Sequence, residues 1–240
     1  MAVQQSRSQP LAFLVTTDAP CPYLPGRMER KVVTRLGGPD ARRNFDILSR
    51  AGFRRSHAIA YRPACAGCQS CVPVRIAAKD FVPSRTLRRI ELRNIDLTAT
   101  LLPPRGTPEQ FALFARYLEG RHGDGEMTGM GLADYRSMVE ESPVDTRIVE
   151  FRDGHGRLLA AVLTDWSADG ISAVYSFFDA DQPRRGLGNF VVLWLAREAA
   201  RRGLAYVYLG YWVAGSRKMA YKNRYRPIEA FGPQGWRRLG

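Results

Sequence analysis

Three cysteines stand at even spacing in YRPACAGCQSCVPVR, at Cys65, Cys68 and Cys71, with arginines on both sides, and the fourth, Cys21, lies apart in CPYLPGR. Four thiolates suit tetrahedral zinc or an iron–sulfur cluster. The spacing lacks the second CxxC pair of a zinc ribbon. The plainer reading of Cys21, Cys65, Cys68 and Cys71 is a set of small thiols packed in the interior. A chain of 240 residues builds a core without cross-links, so disulfides are not needed to explain them. Metal centre and buried thiols both stand open.

No stretch reads as an export signal or a membrane span. LAFLV (Leu11 to Val15) and FVVLWLA (Phe190 to Ala196) are the candidate apolar runs, and both are too short. The expected compartment is the cytoplasm, where clustered cysteines serve metal or chemistry more often than cross-links. The charge is lopsided, with 36 Lys+Arg against 23 Asp+Glu and a net charge of +13. Arginine forks match phosphate. The expected partner is therefore a polyanion, with nucleic acid ahead of membrane; an arginine-favouring genome is the bland alternative.

The elements that must position these groups follow from periodicity and turn chemistry. VPVRIA (Val72 to Ala77) and IDLTATLL (Ile95 to Leu102) read as strands before a proline–glycine loop at Pro103, Pro104 and Gly106. Thr107, Pro108 and Gln110 form a capping-box start for a helix with apolar residues at Phe111, Phe114, Ala115 and Leu118. A second helix is expected over Leu132 to Glu141. Three strands then follow, joined by turns at Asp153-Gly154 and Asp169-Gly170. A long helix from Leu187 to Arg202 stops at Gly203, and AYVYLGYW (Ala205 to Trp212) reads as a strand. The order predicts an α+β fold similar to GNAT acyltransferases, in which the turn before the long helix binds carrier phosphates. Gly186-Leu187-Gly188 sits at that turn, but Pro183 stands where CoA-dependent members carry Gln or Arg. That departure argues against an ordinary CoA donor.

CPYLPGR, GFRRS, YRPAC.GC.SCVPVRI, PSR.LRR, RN.DL, RYLE.RHGDGEM, AVYSFFD and YVYLGYWV…KMAYK..Y.PIE resemble the aminoacyl-tRNA–protein transferases along nearly the whole chain. More narrowly they are similar to the short bacterial branch, the aspartate/glutamate leucyltransferases. The resemblance implies a Cys/Arg-rich N-terminal substrate-recognition subdomain over residues 1–104 and a GNAT-like aminoacyltransferase domain over 105–240. It also implies transfer of leucine from leucyl-tRNA to the α-amine of proteins beginning with Asp or Glu, marking them for degradation. In eukaryotic relatives a cysteine cluster of different spacing is linked to zinc or iron–sulfur binding.

Aminolysis of an ester needs no ATP or NAD, and an α-amine with a pKa of roughly 7.7–8.0 is partly neutral near pH 7. No cofactor is expected for the chemistry itself, beyond the open question of zinc or an iron–sulfur cluster. Orientation and oxyanion stabilisation are the main tasks. Lys218, Lys222 and Arg224 interleave with Tyr221 and Tyr225, a pattern suited to the single-stranded 3′ end of tRNA or to a solvated basic helix with core tyrosines. An acidic N-terminal side chain calls for an arginine fork, from Arg27, Arg54, Arg55, Arg62 or Arg75. For proton handling the candidates are His122, Asp124 and Glu126 in a glycine-rich stretch, and Asp179 at a strand end. The rivals are an arginyltransferase of the same family, a non-catalytic cysteine-knuckle nucleic-acid binder, and a CoA-dependent acetyltransferase.

Overall fold

A computed structural model describes residues 10–122, 126–216 and 219–239, the side chains of residues 121, 122 and 126 excepted. Two sheets dominate it. The first is formed by β1 (Phe13–Val15), β4 (Lys31–Arg35), β5 (Arg54–Ser56) and β6 (Ile59–Pro63), in the order β1-β4-β6-β5. Helix α1 (Ala41–Arg50) packs Phe45 and Leu48 against it, with Leu36 and Ala60. The short strands β2 (Ala19–Pro20) and β3 (Met28–Glu29) pair beside it.

The second sheet has eight strands. It contains β7 (Val72–Ala77), β8 (Thr98–Leu102), β9 (Asp145–Arg152), β10 (Leu158–Trp166), β11 (Gly170–Phe178), β12 (Tyr206–Trp212), β13 (Ile228–Gly232) and β14 (Gly235–Arg238). Their order is β14-β13-β7-β12-β11-β10-β9-β8. Because successive side chains on a strand point to opposite faces, β9 and β10 feed two cores. Val149, Phe151, Ala160 and Val162 meet α2 (Arg85–Arg93) and α5 (Leu187–Arg201) on one side. Ile148, Ala161 and Leu163 meet α3 (Pro108–His122) and α4 (Leu132–Glu140) on the other.

The local signals read from sequence mature into these elements. The Thr107 N–H donates to Gln110 Oε1 at 3.0 Å and the Gln110 N–H returns a bond to Thr107 Oγ1 at 3.2 Å, a reciprocal capping box. The meander forms as expected: β10 pairs antiparallel with both β9 and β11. The boundary expected at residue 104 falls within a continuous sheet. Strand β7 lies between β12 and β13, and β8 forms the far edge. Physically, VPVRIA buries Val74, Arg75, Ile76 and Ala77, and a strand covered on both faces belongs inside a large sheet. The N-terminal half thus supplies a small sheet and also a central strand of the large one.

Candidate active site

Strands β11 and β12 are parallel neighbours for three residues, Gly170 to Ser172 against Tyr206 to Tyr208. Beyond that they separate. Each carries an irregularity where it leaves: the β10–β11 register shifts between Leu163 and Thr164, and the β12–β7 register shifts between Tyr208 and Gly210. Bulges of this kind re-aim strands beside functional sites. Carbonyls turned into the opening need a donor from elsewhere.

Arg54, reaching across from β5, supplies it. Its Nη2 donates to the Ala173 carbonyl at 2.6 Å and to the Val174 carbonyl at 3.2 Å. Its Nη1 is buried and has no hydrogen-bond partner among the described residues. Gly210 makes this approach possible: with φ of +76°, a methyl built there would stand 2.7 Å from Arg54 Nη1.

Lys222, in the 3-10 turn Ala220–Arg224, is buried beside this guanidinium. Its Nζ donates to the Tyr211 carbonyl at 2.5 Å. Burial pushes its amine down to about 7, Arg54 adds to that, and Cys71 opposes it. Tyr23, Tyr211 and Tyr221 sit within electrostatic reach of Arg54, and burial raises all three phenols, that of Tyr23 to about 12. Tyr221 is 38% exposed, while burial still dominates at its hydroxyl, with Tyr117 as its next neighbour. Where the strands part, the structure thus gathers one guanidinium nitrogen without a hydrogen-bond partner among the described residues, one amine able to lose its proton near neutrality, and three phenols that burial keeps protonated. This set can grip a carboxylate or an oxyanion and accept a proton from a neighbouring amine.

The other sequence candidates are placed differently. Arg55 is buried in a bidentate pair with Asp165, at 2.6 and 2.8 Å, and Thr146 donates to the same carboxylate. Arg75 pairs with Glu229 and stacks 3.4 Å from the centre of the Tyr206 ring and 4.2 Å from that of Trp236. Both forks are occupied, so neither is open to a substrate carboxylate. Arg62 donates to the Ala51 carbonyl and lies over Phe53, and Arg27 is exposed near Cys68.

The interleaved basic patch divides. Lys222 and Tyr225 point inward, Tyr225 fully buried with its hydroxyl donating to Asn189 Oδ1 at 2.8 Å. Arg224 is exposed. Cations and rings three apart lie on one face of a turn, and here that face packs on α5 and β12. Asp179, just past β11, uses its Oδ1 to accept the Asp181 N–H at 3.1 Å. Asp124 and Lys218, and the side chains of His122 and Glu126, lie outside the described residues.

All four cysteines are free and half-buried. Cys71 is pushed up to about 11, chiefly by burial and then by Cys21, Cys65 and Cys68, so the four thiols do gather around it. Two are engaged locally: Cys65 Sγ accepts the Arg30 N–H at 3.4 Å and Cys68 Sγ donates to Ser70 Oγ at 3.5 Å. Among the described residues no three His, Cys, Asp or Glu side chains stand in an arrangement that holds a metal. No step below passes through a metal ion or cluster.

Sequence alone singled out Arg54 only as one of five arginines and Lys222 only as one of the cations set against the 3′ end of tRNA. No local pattern reports that β11 and β12 part, and the parting is what brings the two residues together.

Comparison with known proteins adds the family. Residues 19–89 match the model of the arginine-tRNA-protein transferase N terminus and residues 109–232 that of its C terminus. A protein of Paramagnetospirillum magneticum named aspartate/glutamate leucyltransferase is 61% identical, covering 96% of this chain and 95% of its own. One of the same name from Rhodospirillum rubrum is 55% identical over 95% and 94%. Among solved structures, L-PGS from Bacillus licheniformis aligns at 15% identity and a TM-score of 0.48, over 72% of this chain and 52% of its own. With both halves of the model matched in order and relatives aligned nearly end to end, the chain belongs to the arginine-tRNA-protein transferase family.

Proposed function

We propose that this chain transfers leucine from leucyl-tRNA to the α-amine of proteins that begin with Asp or Glu, marking them for degradation. The observation that carries the reading is the buried Nη1 of Arg54, without a hydrogen-bond partner among the described residues, beside Lys222 at the point where β11 and β12 separate. Close relatives that share nearly the full length are named for this activity. The eight-stranded half then serves as a GNAT-type acyltransferase, with aminoacyl-tRNA in place of acyl-CoA. No helix among the described residues is long and apolar enough to cross a membrane; a cytoplasmic site of action fits the donor.

The acceptor's amine nitrogen attacks the carbonyl carbon of the leucyl ester. A C–N bond forms, and the bond to the ribose oxygen breaks. The amine gives up a proton and the ribose oxygen gains one. Neutral Lys222 Nζ takes the first proton and returns it to the leaving oxygen. Arg54 holds the acceptor's acidic side chain, which is why an Asp or Glu start is favoured. A carboxylate satisfies the orphaned Nη1, whereas a neutral side chain leaves it unpaired and a lysine adds like charge. The phenols of Tyr23, Tyr211 and Tyr221 line the opening and limit water, which would otherwise hydrolyse the ester.

The test is transfer of labelled leucine from leucyl-tRNA to peptides beginning with Asp, Glu, Ala or Lys. Asp and Glu peptides are expected to be labelled and the Lys peptide not. The family model is named for arginine, so arginyl-tRNA is the second donor. Equal transfer from it would overturn the choice of leucine, and transfer from neither would overturn the reaction.

A further inference from the structure

Helix α2, packed beside α5 on one face of the large sheet, reads RTLRRIELR. Arg85, Arg89 and Arg93 fall at i, i+4 and i+8, one row on one face, and Arg88 stands beside them; all four are exposed. Among the described residues none of the four forms an ion pair. Arg88 and Arg93 donate only to carbonyl oxygens, of Pro83 and Arg184. The neighbouring helix behaves differently. On α5, Arg197 pairs with Glu91, and Arg201 and Arg202 pair with Glu198. Glu91, the single acid of α2, is thereby turned away from the row.

Like charges one helical turn apart destabilise a helix. A row of three left unmatched therefore calls for an anion from outside. The rise of 1.5 Å per residue sets successive members roughly 6 Å apart along the axis, close to the spacing of phosphates along one nucleic-acid strand. Leu92 and Ile95, 68% and 82% exposed, border the row.

The row leads to the site. Arg93 Nη1 bonds the Arg184 carbonyl, and Asn94 Nδ2 bonds the Arg185 carbonyl at 2.8 Å, so the end of α2 is fixed to the turn that opens α5. Exposed Arg184 continues the positive surface there. In the first turn of α5, Asn189 accepts from Tyr225, whose ring is next to that of Tyr221. A chain of contacts thus connects the arginine row, through the start of α5, to the turn that carries Lys222.

We propose that Arg85, Arg89 and Arg93 on α2, with Arg184, form the track that grips the phosphates of the tRNA acceptor stem while its 3′ end enters the opening between β11 and β12. This rests on the proposed function and assigns the RNA surface to α2 rather than to the KMAYKNRYRP stretch. Double-stranded RNA is read by its backbone and shape, so the row adds affinity without choosing a base sequence.

The test is the double charge reversal Arg85→Glu, Arg89→Glu. Neither side chain has a hydrogen-bond or ion-pair partner to lose among the described residues, and thermal unfolding checks that the fold is kept. Three measurements follow: binding of an unacylated acceptor-stem hairpin across a salt series, transfer from leucyl-tRNA, and transfer from leucine esterified to a short single-stranded CCA oligonucleotide. Expected are hairpin binding at least about tenfold weaker, a salt slope reduced by about two, a raised KM for leucyl-tRNA, and unchanged transfer from the short donor. Unchanged hairpin affinity and slope would overturn the proposal. So would equal loss with both donors, which would place the row in the chemistry or the fold. If the unsubstituted protein moves no leucine from either donor, the proposed function itself fails and takes the track with it.

Discussion

Arg54 passes over Gly210 so closely that a single methyl on the glycine would stand 2.7 Å from its Nη1. The small sheet and the large sheet meet through this contact. Gly210→Ala is expected to cost about 1–3 kcal/mol from the left-handed backbone alone and to displace the guanidinium as well. Gly203→Ala is the control, because its φ is also positive, at +73°, but nothing lies within 4 Å of the added carbon. Thermal unfolding should show both losses. Leucine transfer per folded molecule should fall only for Gly210→Ala, and equal activity in the two variants would remove Gly210 from the site.

Arg54 and Arg55 are adjacent, and their substitutions should separate selection from stability. Arg54→Lys keeps the charge but loses the fork. Loss of a charge-assisted hydrogen bond worth about 1.5–3 kcal/mol lowers kcat/KM for an Asp-starting peptide about 10- to 100-fold, and the preference over an Ala-starting peptide shrinks with it. Arg55→Met strips Asp165 of its buried partner and should cost about 3–5 kcal/mol of stability with the peptide preference intact. A preference that survives Arg54→Lys, or collapses with Arg55→Met, would reassign the selector.

The two thiols with shifted acidity should differ in reactivity. The Cys68 thiol is lowered, first by its bond to Ser70, with Arg27 nearby, whereas burial pushes Cys71 up to about 11. Alkylation near pH 7.5 followed by peptide mapping should modify Cys68 ahead of Cys71, because the thiolate is the nucleophile. Protection of all four cysteines, released by a chelator, would instead show that they hold a metal after all. Elemental analysis of anaerobically purified protein gives the same answer by another route.

How far the sequence reveals this molecule depends on how local each signal is. The Thr107–Gln110 capping box, the β9–β10–β11 meander and the Leu187 start of α5 depend on neighbours in sequence, and each stands where its residues predict. What escaped is long-range. VPVRIA is legible as a strand, yet its place between β12 and β13 depends on partners more than a hundred residues away. The pairing of Arg55 with Asp165 spans 110 positions. Lys222 sits among exposed-looking polar residues, and only the packing of its turn against β12 makes it a buried amine. Family motifs, by contrast, recover function without geometry, because they record the outcome of that packing rather than its cause.

Lys222 gives the sharpest test, because its proton links stability to chemistry. Its folded pKa, about 7, lies below the roughly 10.4 of an unfolded lysine. Between those values the unfolded chain binds the extra proton, so stability rises with pH, by at most about 1.4 kcal/mol per unit. The gain is complete above the unfolded value and is lost as pH falls toward 7. Cys71 acts in the opposite sense above its ordinary pKa, because the folded thiol keeps a proton that the unfolded one releases. The rise should therefore be read from pH 7 to about 8.5, as the difference between the unsubstituted protein and Lys222→Met, which removes the amine and keeps much of the volume. The same variant should lose about 10²- to 10⁴-fold in kcat, the usual contribution of a positioned base. Its residual pH profile should follow the acceptor amine, at roughly 7.7–8.0, without the additional limb near 7. A Lys222→Met protein that stays folded, transfers leucine at close to the original rate and keeps that limb would show that the proton leaves by another route.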